Sequence, residues 1–159
     1  MKILAISDSH GETEDLRWLL DQIYNEYGPM DAFIHCGDGA ADLERLRSWI
    51  LKRNTGASFY FVRGNCDFGA ELPVSLQLEL EGVKIFVAHG HTYYVKTTLS
   101  ELDSVSRNEH CSLTLYGHTH IPNWEMRGTL MVNPGSARNG RAALLTVQNR
   151  QVDAELLKY

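Results

Sequence analysis

Short apolar runs alternate with helical patterns along the first 64 residues of the chain. Strands are predicted at Ile3–Ser7, Ala32–Cys36 and Phe59–Val62, because each run is apolar enough to be buried on both faces. Between them, Glu12–Tyr27 and Asp42–Leu51 repeat apolar residues at helical spacing. This β-α-β-α-β order predicts a parallel sheet with crossover helices.

The pattern changes in the rest of the chain. Ser75–Leu80 and Val83–Ala88 flank Glu81-Gly82 and predict a hairpin, and Thr98–Asn108 predicts a weaker third helix. Five more short strands are predicted at Ser112–Tyr116, Asn123–Met126, Thr129–Val132, Ala142–Val147 and Val152–Leu157. Since no linker or low-complexity tract divides the chain, we expect a single domain over residues 1–159, an α/β fold with a β-sandwich or folded sheet and helices outside.

Composition narrows the setting and the partners. The net charge of −5 disfavours an extended nucleic-acid partner but leaves a small phosphate-bearing substrate open. Three dispersed cysteines without a C-x-x-C motif indicate reduced thiols and an intracellular protein. No apolar run is long enough for a signal peptide or a membrane span, so we expect a cytoplasmic protein with no membrane partner.

Polar residues of the types that bind metals follow five of the predicted strands. Five of the seven histidines lie in these loops. The loop motifs are Asp8-Ser9-His10, Gly37-Asp38, Gly64-Asn65, His89-Gly90-His91 and Gly117-His118-Thr119-His120. Because α/β folds build their sites in loops at the carboxyl ends of strands, the pattern indicates one site that holds two metal ions.

Each loop also has an ordinary local interpretation. Ser9-x-x-Glu12 matches a helix capping box, and Asp38 suits a turn or the start of the second helix. Gly64-Asn65 is a common turn pair, and a histidine at the end of a strand is usually just a satisfied polar residue. All of these interpretations would have to hold at once for the metal site to be absent.

The joint pattern D-x-H, G-D, G-N-x-D, G-H and G-H-x-H resembles the calcineurin-like metallophosphoesterase superfamily. The similarity is greatest to its small YfcE-type phosphodiesterases, and it runs from the first strand to Asn-Pro-Gly-Ser at 133–136. It implies a four-layer fold of two packed β-sheets flanked by helices. It also implies a metal-dependent phosphodiesterase that hydrolyses small phosphoesters with a hydroxide bridging a dinuclear metal centre.

The resemblance also implies which residues hold each ion. One ion would be bound by Asp8, His10, Asp38 and His120, and the other by Asp38, Asn65, His89 and His118. Asp38 would bridge the two, and His118 and His120 would bind different ions. The resemblance favours Mn²⁺, while Ni²⁺, Zn²⁺, Fe and Co²⁺ suit the same nitrogen and oxygen ligands.

Catalytic roles are implied for three residues. Asn65 would also contact a phosphoryl oxygen. Cys66 stands where many members of the superfamily carry a histidine that protonates the leaving group, so His91 or water is an alternative proton donor. With no strong acid at this position, we expect a preference for leaving groups of low pKa.

The substrate and the assembly are less defined. Phe68, Tyr93 and Tyr94 adjoin the ligand loops, where they could stack on a ring or simply pack in the core. A phosphomonoesterase is one alternative function. A non-catalytic scaffold is another, because a retromer subunit shares this fold. A homo-oligomer stays open.

Overall fold

The computed structural model describes residues 1–159. Its ten strands are β1 (Lys2–Ile6), β2 (Ala32–His35), β3 (Ser58–Phe61), β4 (Ser75–Leu80), β5 (Val83–Ala88), β6 (Leu113–Leu115), β7 (Asn123–Met126), β8 (Leu130–Asn133), β9 (Arg141–Gln148) and β10 (Gln151–Lys158). Its three α-helices are α1 (Thr13–Tyr27), α2 (Ala40–Arg53) and α3 (Ser100–Asn108). Two short 3₁₀ helices, which the sequence did not predict, occupy His91–Tyr93 and Ala137–Asn139.

The strands form two five-stranded sheets. The first has the order β10-β9-β1-β2-β3, and the second has the order β4-β5-β6-β8-β7. Strands β1, β2 and β3 are parallel, as the β-α-β-α-β pattern predicts, whereas β9 pairs antiparallel with β1. In the second sheet β5, β6 and β8 run parallel. The carboxyl ends of parallel strands therefore lie together at one edge of each sheet.

The molecule has four layers, and an apolar cluster lies between each layer and the next. The largest fills the space between the sheets, with residues such as Ile3, Ile85 and Leu145 fully buried. A second joins α1 and α2 to the outer face of the first sheet, and a third joins α3 to the second sheet. This helix–sheet–sheet–helix arrangement confirms the predicted α/β fold of two packed sheets flanked by helices.

Some predicted helix boundaries were wrong. The first helix begins at Thr13 and the second at Ala40, and neither has a side chain that caps its amino terminus. The capping-box interpretation of Ser9 is therefore wrong, because the Ser9 hydroxyl donates instead to the Asp42 carboxylate, 2.6 Å away. No helix has the length and apolar character needed to cross a membrane.

Candidate metal centre

Side chains from the loops after β1, β2, β3, β5 and β6 converge in one region. Within each of three groups, the ligand-type atoms lie within 4.8 Å of one another. The first group is Asp8, His10 and His120, and the second is Asp38, His89 and His118. A third group, which overlaps both the first and the second, is His10, Asp38 and Cys66.

The first two groups are immediate neighbours. In the first, Oδ1 of Asp8 lies 3.2 Å from Nε2 of His120 and 3.8 Å from Nε2 of His10. Nε2 of His89 lies 3.3 Å from Oδ2 of Asp38 and 4.0 Å from Oδ1 of Asp8. Two carboxylates and several imidazoles thus face one small volume, where they could hold a metal ion.

His89 shows that this volume suits a cation. Its Nδ1 lies 2.8 Å from the carbonyl oxygen of Cys36, and a carbonyl can only accept, so Nδ1 carries the proton. The lone pair of Nε2 then points toward the carboxylates, as in histidines whose other nitrogen is held by a backbone group behind a metal. Both Nε2 of His89 and Oδ1 of Asp8 are buried without a hydrogen-bond partner. A bound cation would satisfy both atoms.

The backbone is strained where most of these side chains attach. The φ angles are 55° at Asp8, 51° at His10, 56° at Asp38, 67° at His118 and 60° at His120. A left-handed φ costs a residue with a side chain on the order of 1–3 kcal/mol. Such strain persists only where the surrounding structure imposes it, and it concentrates at functional sites. Here it aims side chains from three loops at the same volume.

Two glycines are required because the loops touch. A Cβ at Gly64 would collide with the Asp38 carboxylate and backbone. A Cβ at Gly117 would collide with the Ser7 hydroxyl and approach the Asp8 carboxylate. Neither glycine has a positive φ, so their role is to allow close approach of the loops. The Gly-Asn and Gly-His motifs thus bring their loops against the carboxylates.

Asp67 fixes the loops after β2 and β3 to each other, a role that the sequence did not reveal. Its carboxylate accepts from the backbone N–H groups of Asp38, Gly39 and Gly64 at 2.8–2.9 Å. Asp67 appears in the G-N-x-D motif, but its spacing gives no indication of partners almost 30 residues away. It positions Asp38 from behind.

Asp42 plays the equivalent part for the loop after β1. It is buried in the first turn of α2 and accepts from Ser9, from the Gly11 N–H and from Thr13 at 2.6–2.9 Å. His35 completes this network, since its Nε2 lies 3.2 Å from the Ser9 hydroxyl. Burial lowers the pKa of His35 from 6.5 to about 4, so it is a neutral structural residue.

The Asn-Pro-Gly-Ser segment, which begins at the last residue of β8, supports the two histidines of the G-H-T-H loop. Nδ2 of Asn133 donates to the carbonyl of Gly117 and to the Thr119 hydroxyl, both at 3.0 Å. The Ser136 hydroxyl donates to the carbonyl of Asp8 at 2.8 Å. The segment thus ties the loops after β1 and β6 together.

Of the three residues with predicted catalytic roles, Cys66 and His91 lie beside candidate ligands, whereas the exposed Asn65 side chain contacts Cys66. The backbone N–H of Cys66 donates to Oδ1 of Asp38 at 2.6 Å, and the Asn65 amide donates to Sγ of Cys66 at 3.3 Å. The ring of His91 lies 5.4 Å from that of His89 and 6.1 Å from that of His118, between centroids. Nδ1 of His91 is buried without a partner.

The protonation equilibria reflect this crowding. Burial raises the pKa of Asp8. Burial also opposes ionisation of Asp38, but the His89 imidazole and the Cys66 N–H outweigh it and lower the pKa of Asp38. At His89 the two carboxylates outweigh burial and raise the pKa, so a cation and a proton would compete for Nε2. Burial and nearby positive charge lower the pKa of His118 to about 4.

Burial and the surrounding carboxylates raise the pKa of the Cys66 thiol. The carboxylates that act on it are those of Asp38, Asp67 and Asp8. Without cations nearby, Cys66 is therefore a protonated thiol at neutral pH. Bound cations would act in the opposite direction and favour the thiolate.

Comparison with known proteins gives a consistent result. The calcineurin-like phosphoesterase superfamily domain matches residues 1–150. "Probable metallophosphoesterase YsnB" of Bacillus subtilis is 35% identical over 166 residues, which cover 100% of this chain and 90% of that protein. "Phosphodiesterase YfcE" of Escherichia coli K12 is 31% identical over 159 residues, which cover 86% of this chain and 79% of that protein.

Solved structures share the fold. A predicted phosphoesterase from Streptococcus pneumoniae superposes with a TM-score of 0.76 and 28% identity, covering 99% of this chain and 88% of that chain. Wild-type Vps29 complexed with Zn²⁺ from Entamoeba histolytica gives a TM-score of 0.74 with 19% identity, covering 99% and 98%. The second match concerns the fold alone.

Proposed function

Because the chain belongs to the calcineurin-like phosphoesterase superfamily, we propose that it is a phosphodiesterase that hydrolyses small phosphoesters at a dinuclear metal centre. The observation that carries the proposal is the pair of adjacent ligand groups, with buried, unpartnered atoms of Asp8 and His89 facing the space between them. When bound, two divalent ions would lower the pKa of a shared water, supply hydroxide at neutral pH and offset negative charge on the phosphoryl group.

The proposed ligand set follows the two groups. Asp8, His10 and His120 would hold one ion, and Asp38, His89 and His118 the other, with Asp38 shared and Asn65 completing the second set. His118 and His120 would then serve different ions although one residue separates them. We expect Mn²⁺, with Ni²⁺, Zn²⁺, Fe and Co²⁺ as alternatives, because imidazole nitrogens and carboxylate and amide oxygens suit all of these ions and do not choose among them.

The remaining residues would bind and orient the substrate. Asn65 lies beside Cys66, where its amide could contact a phosphoryl oxygen as well as an ion. The Cys66 thiol is positioned by the bond from its N–H to Asp38, so it is the proposed proton donor to the leaving group. His91 is the alternative donor, because it lies beside His89 and His118.

A thiol is a poorly matched acid at a dicationic centre, since cations favour its ionised form. Expulsion of an alkoxide needs a proton, whereas expulsion of an aryl oxide of low pKa does not. We therefore expect aryl esters to be hydrolysed faster than alkyl esters.

The three cysteines are free thiols, which supports a reducing, cytoplasmic setting for the enzyme.

One experiment separates the proposed activity from its rivals. Metal-stripped protein is assayed with Mn²⁺, Ni²⁺, Zn²⁺ and Mg²⁺ on 4-nitrophenyl phosphate and on bis(4-nitrophenyl) phosphate. The proposal predicts diester hydrolysis with at least one transition metal. Hydrolysis of the monoester alone would contradict the phosphodiesterase assignment, and no turnover with any metal would favour the scaffold.

The scaffold is the weaker candidate on structural grounds. All seven ligand positions carry residues that can bind a metal. The Asp67 and Asp42 carboxylates hold the loops after β1, β2 and β3 in place through six short hydrogen bonds. A scaffold would have no need of left-handed aspartates and histidines directed at one another.

A further inference from the structure

A cavity of about 610 Å³ opens directly beside the candidate ligands. His10, Asp38 and Cys66 line the end nearest the metal centre. The cavity is of the size that small-molecule sites usually have, about 300–1,000 Å³. It exceeds the volume of about 150 Å³ that accepts a benzene ring. A group attached to a phosphorus atom at the centre therefore has room to extend into it.

Much of the cavity lining is apolar. It includes Phe61, Phe68 and Leu72, together with Ala40 and Ala70. Phe68 is 90% exposed, although burying a phenylalanine side chain away from water is favourable. Phe68 belongs to the loop that carries Asn65 and Cys66, and it lines the same cavity as Cys66. An exposed aromatic ring over an apolar cavity is suited to cover a flat ligand.

The charged residues of the wall are already paired. Glu44 forms a bidentate pair with Arg47 at 2.7–3.0 Å, and the Asp42 carboxylate accepts from Arg45 at 3.1 Å in addition to its loop bonds. The Asp67 carboxylate accepts three backbone N–H groups. Apart from Asp38 in the ligand group, the wall offers no free carboxylate to a cationic ligand, so it suits a neutral ring.

The other aromatic candidates lie elsewhere. Tyr93 packs edge-on against Phe86 of the second sheet, with 6.1 Å between the ring centroids. Tyr94 is exposed but does not line the cavity. Of the three aromatic residues near the ligand loops, Phe68 alone faces the space next to the metal centre.

We propose that this cavity is the subsite for a planar aromatic group of the substrate, held between Phe68 and the wall formed by Phe61 and Leu72. The enzyme would thus select phosphoesters that carry an aryl or nucleobase ring over aliphatic ones. This inference rests on the proposed function, since the phosphoryl group must lie at the candidate metal centre for the ring to reach the cavity. The proximity of Cys66 to the cavity agrees with an aryl leaving group.

The test uses calorimetry to compare how tightly Mn²⁺-loaded protein binds phenylphosphonate and methylphosphonate. Neither compound is an ester, so neither can be hydrolysed as one. We expect phenylphosphonate to bind about tenfold more tightly, because its ring leaves water against Phe68. In Phe68→Ala the ratio of the two affinities should fall to about twofold, and in Phe68→Trp it should return to about tenfold. Trp18→Ala removes another exposed aromatic, on α1, and should leave the ratio unchanged.

An unchanged ratio in Phe68→Ala, or equal binding of the two phosphonates to the unaltered protein, would overturn the subsite. The same samples are assayed for diester hydrolysis, which tests the proposed function separately. A ring preference that depends on Phe68, without hydrolysis, would uphold the subsite and overturn the activity. Failure of both phosphonates to bind would overturn the subsite, whereas the absence of diester hydrolysis with every metal would overturn the activity.

A second pair of ligands identifies the kind of ring. Adenosine 5′-monophosphate is compared with ribose 5-phosphate, which lacks the base. If a nucleobase reaches the cavity, the nucleotide binds more tightly, and Phe68→Ala removes the difference. If only phenylphosphonate depends on Phe68, the subsite takes an aryl group attached directly to the phosphate.

Discussion

At the scale of single residues, Asp38 belongs to two of the three groups of ligand-type side chains. It belongs to the group with His89 and His118 and to the group with His10 and Cys66, and its own backbone is strained at a φ of 56°. A carboxylate in this position can bind one ion with each oxygen. Its removal should therefore affect both ions.

Replacement of Asp38 tests this shared position. We expect Asp38→Ala to lower the bound metal from about two ions per chain to one or none and to lower diester hydrolysis at least 100-fold. Metal content is measured after gel filtration. Asp31→Ala is the matched control, since Asp31 lies just before the opposite end of β2. Full activity and metal content in Asp38→Ala would contradict the dinuclear centre.

We propose that Cys66 limits which leaving groups the centre can expel. A histidine at this position is a better acid near neutral pH, so Cys66→His should raise hydrolysis of alkyl esters relative to aryl esters about tenfold or more. The ratio of kcat/KM for the two ester classes is measured in both proteins. If Cys66→His leaves that ratio unchanged, Cys66 does not lie at the position of the proton donor.

At the scale of elements, the loops after β2 and β3 depend on Asp67. Its carboxylate is the only acceptor for three backbone N–H groups, including that of Asp38. We expect Asp67→Asn to lower the free energy of unfolding by about 1–3 kcal/mol and to weaken metal binding about tenfold or more. Urea denaturation and metal titration measure the two effects.

The control for Asp67 lies in the same loop. Glu71→Gln removes a carboxylate from an exposed residue and should change neither the stability nor the metal affinity. If Asp67→Asn behaves like this control, the three hydrogen bonds do not position the ligands.

The elements were largely predictable, whereas the links between their loops were not. The helical period over Glu12–Tyr27 correctly predicted α1, in which Leu16, Leu19 and Ile23 are buried, because periodicity reflects one face packed on a sheet. The same stretch of sequence misled at Ser9, whose spacing to Glu12 matches a capping box. Its actual partner is Asp42, 33 residues along the chain, and local spacing carries no information about such a contact.

The sequence predicted which residues form the candidate site, but not the backbone conformations and contacts that hold them in place. Ligand-type residues after five strands identified the loops, because parallel strands bring their carboxyl ends to one edge. The left-handed backbone of Asp8 and His120 could not be foreseen, since the spacing of the motifs carries no information about φ. The cavity beside Phe68 could not be predicted either, because it depends on how the loop after β3 lies over α2.

At the scale of the whole molecule, we propose that the two sheets form one cooperative domain, because they share the largest apolar cluster. His35 then couples the stability of that domain to pH. Its pKa is 6.5 in the unfolded chain and about 4 in the folded one, owing to burial. Between these values the unfolded chain binds a proton that the folded chain does not, so stability falls as the pH falls.

The expected effect is about 3 kcal/mol between pH 7 and pH 4. His35→Asn cannot titrate and should lose about that much less stability over the same range, as measured by urea unfolding of the metal-free protein. A single transition, seen by fluorescence and by circular dichroism, would accord with one domain. Equal pH dependence in the two proteins would show that His35 is not the group responsible.

The dinuclear centre with split histidines is the central claim, and the crystal structure of the Mn²⁺-loaded protein tests it most directly. Anomalous scattering at the manganese edge locates each ion. The claim predicts two peaks about 3.5–4 Å apart, with His120 bound to one and His118 to the other. A single peak, or both imidazoles bound to one ion, would contradict it.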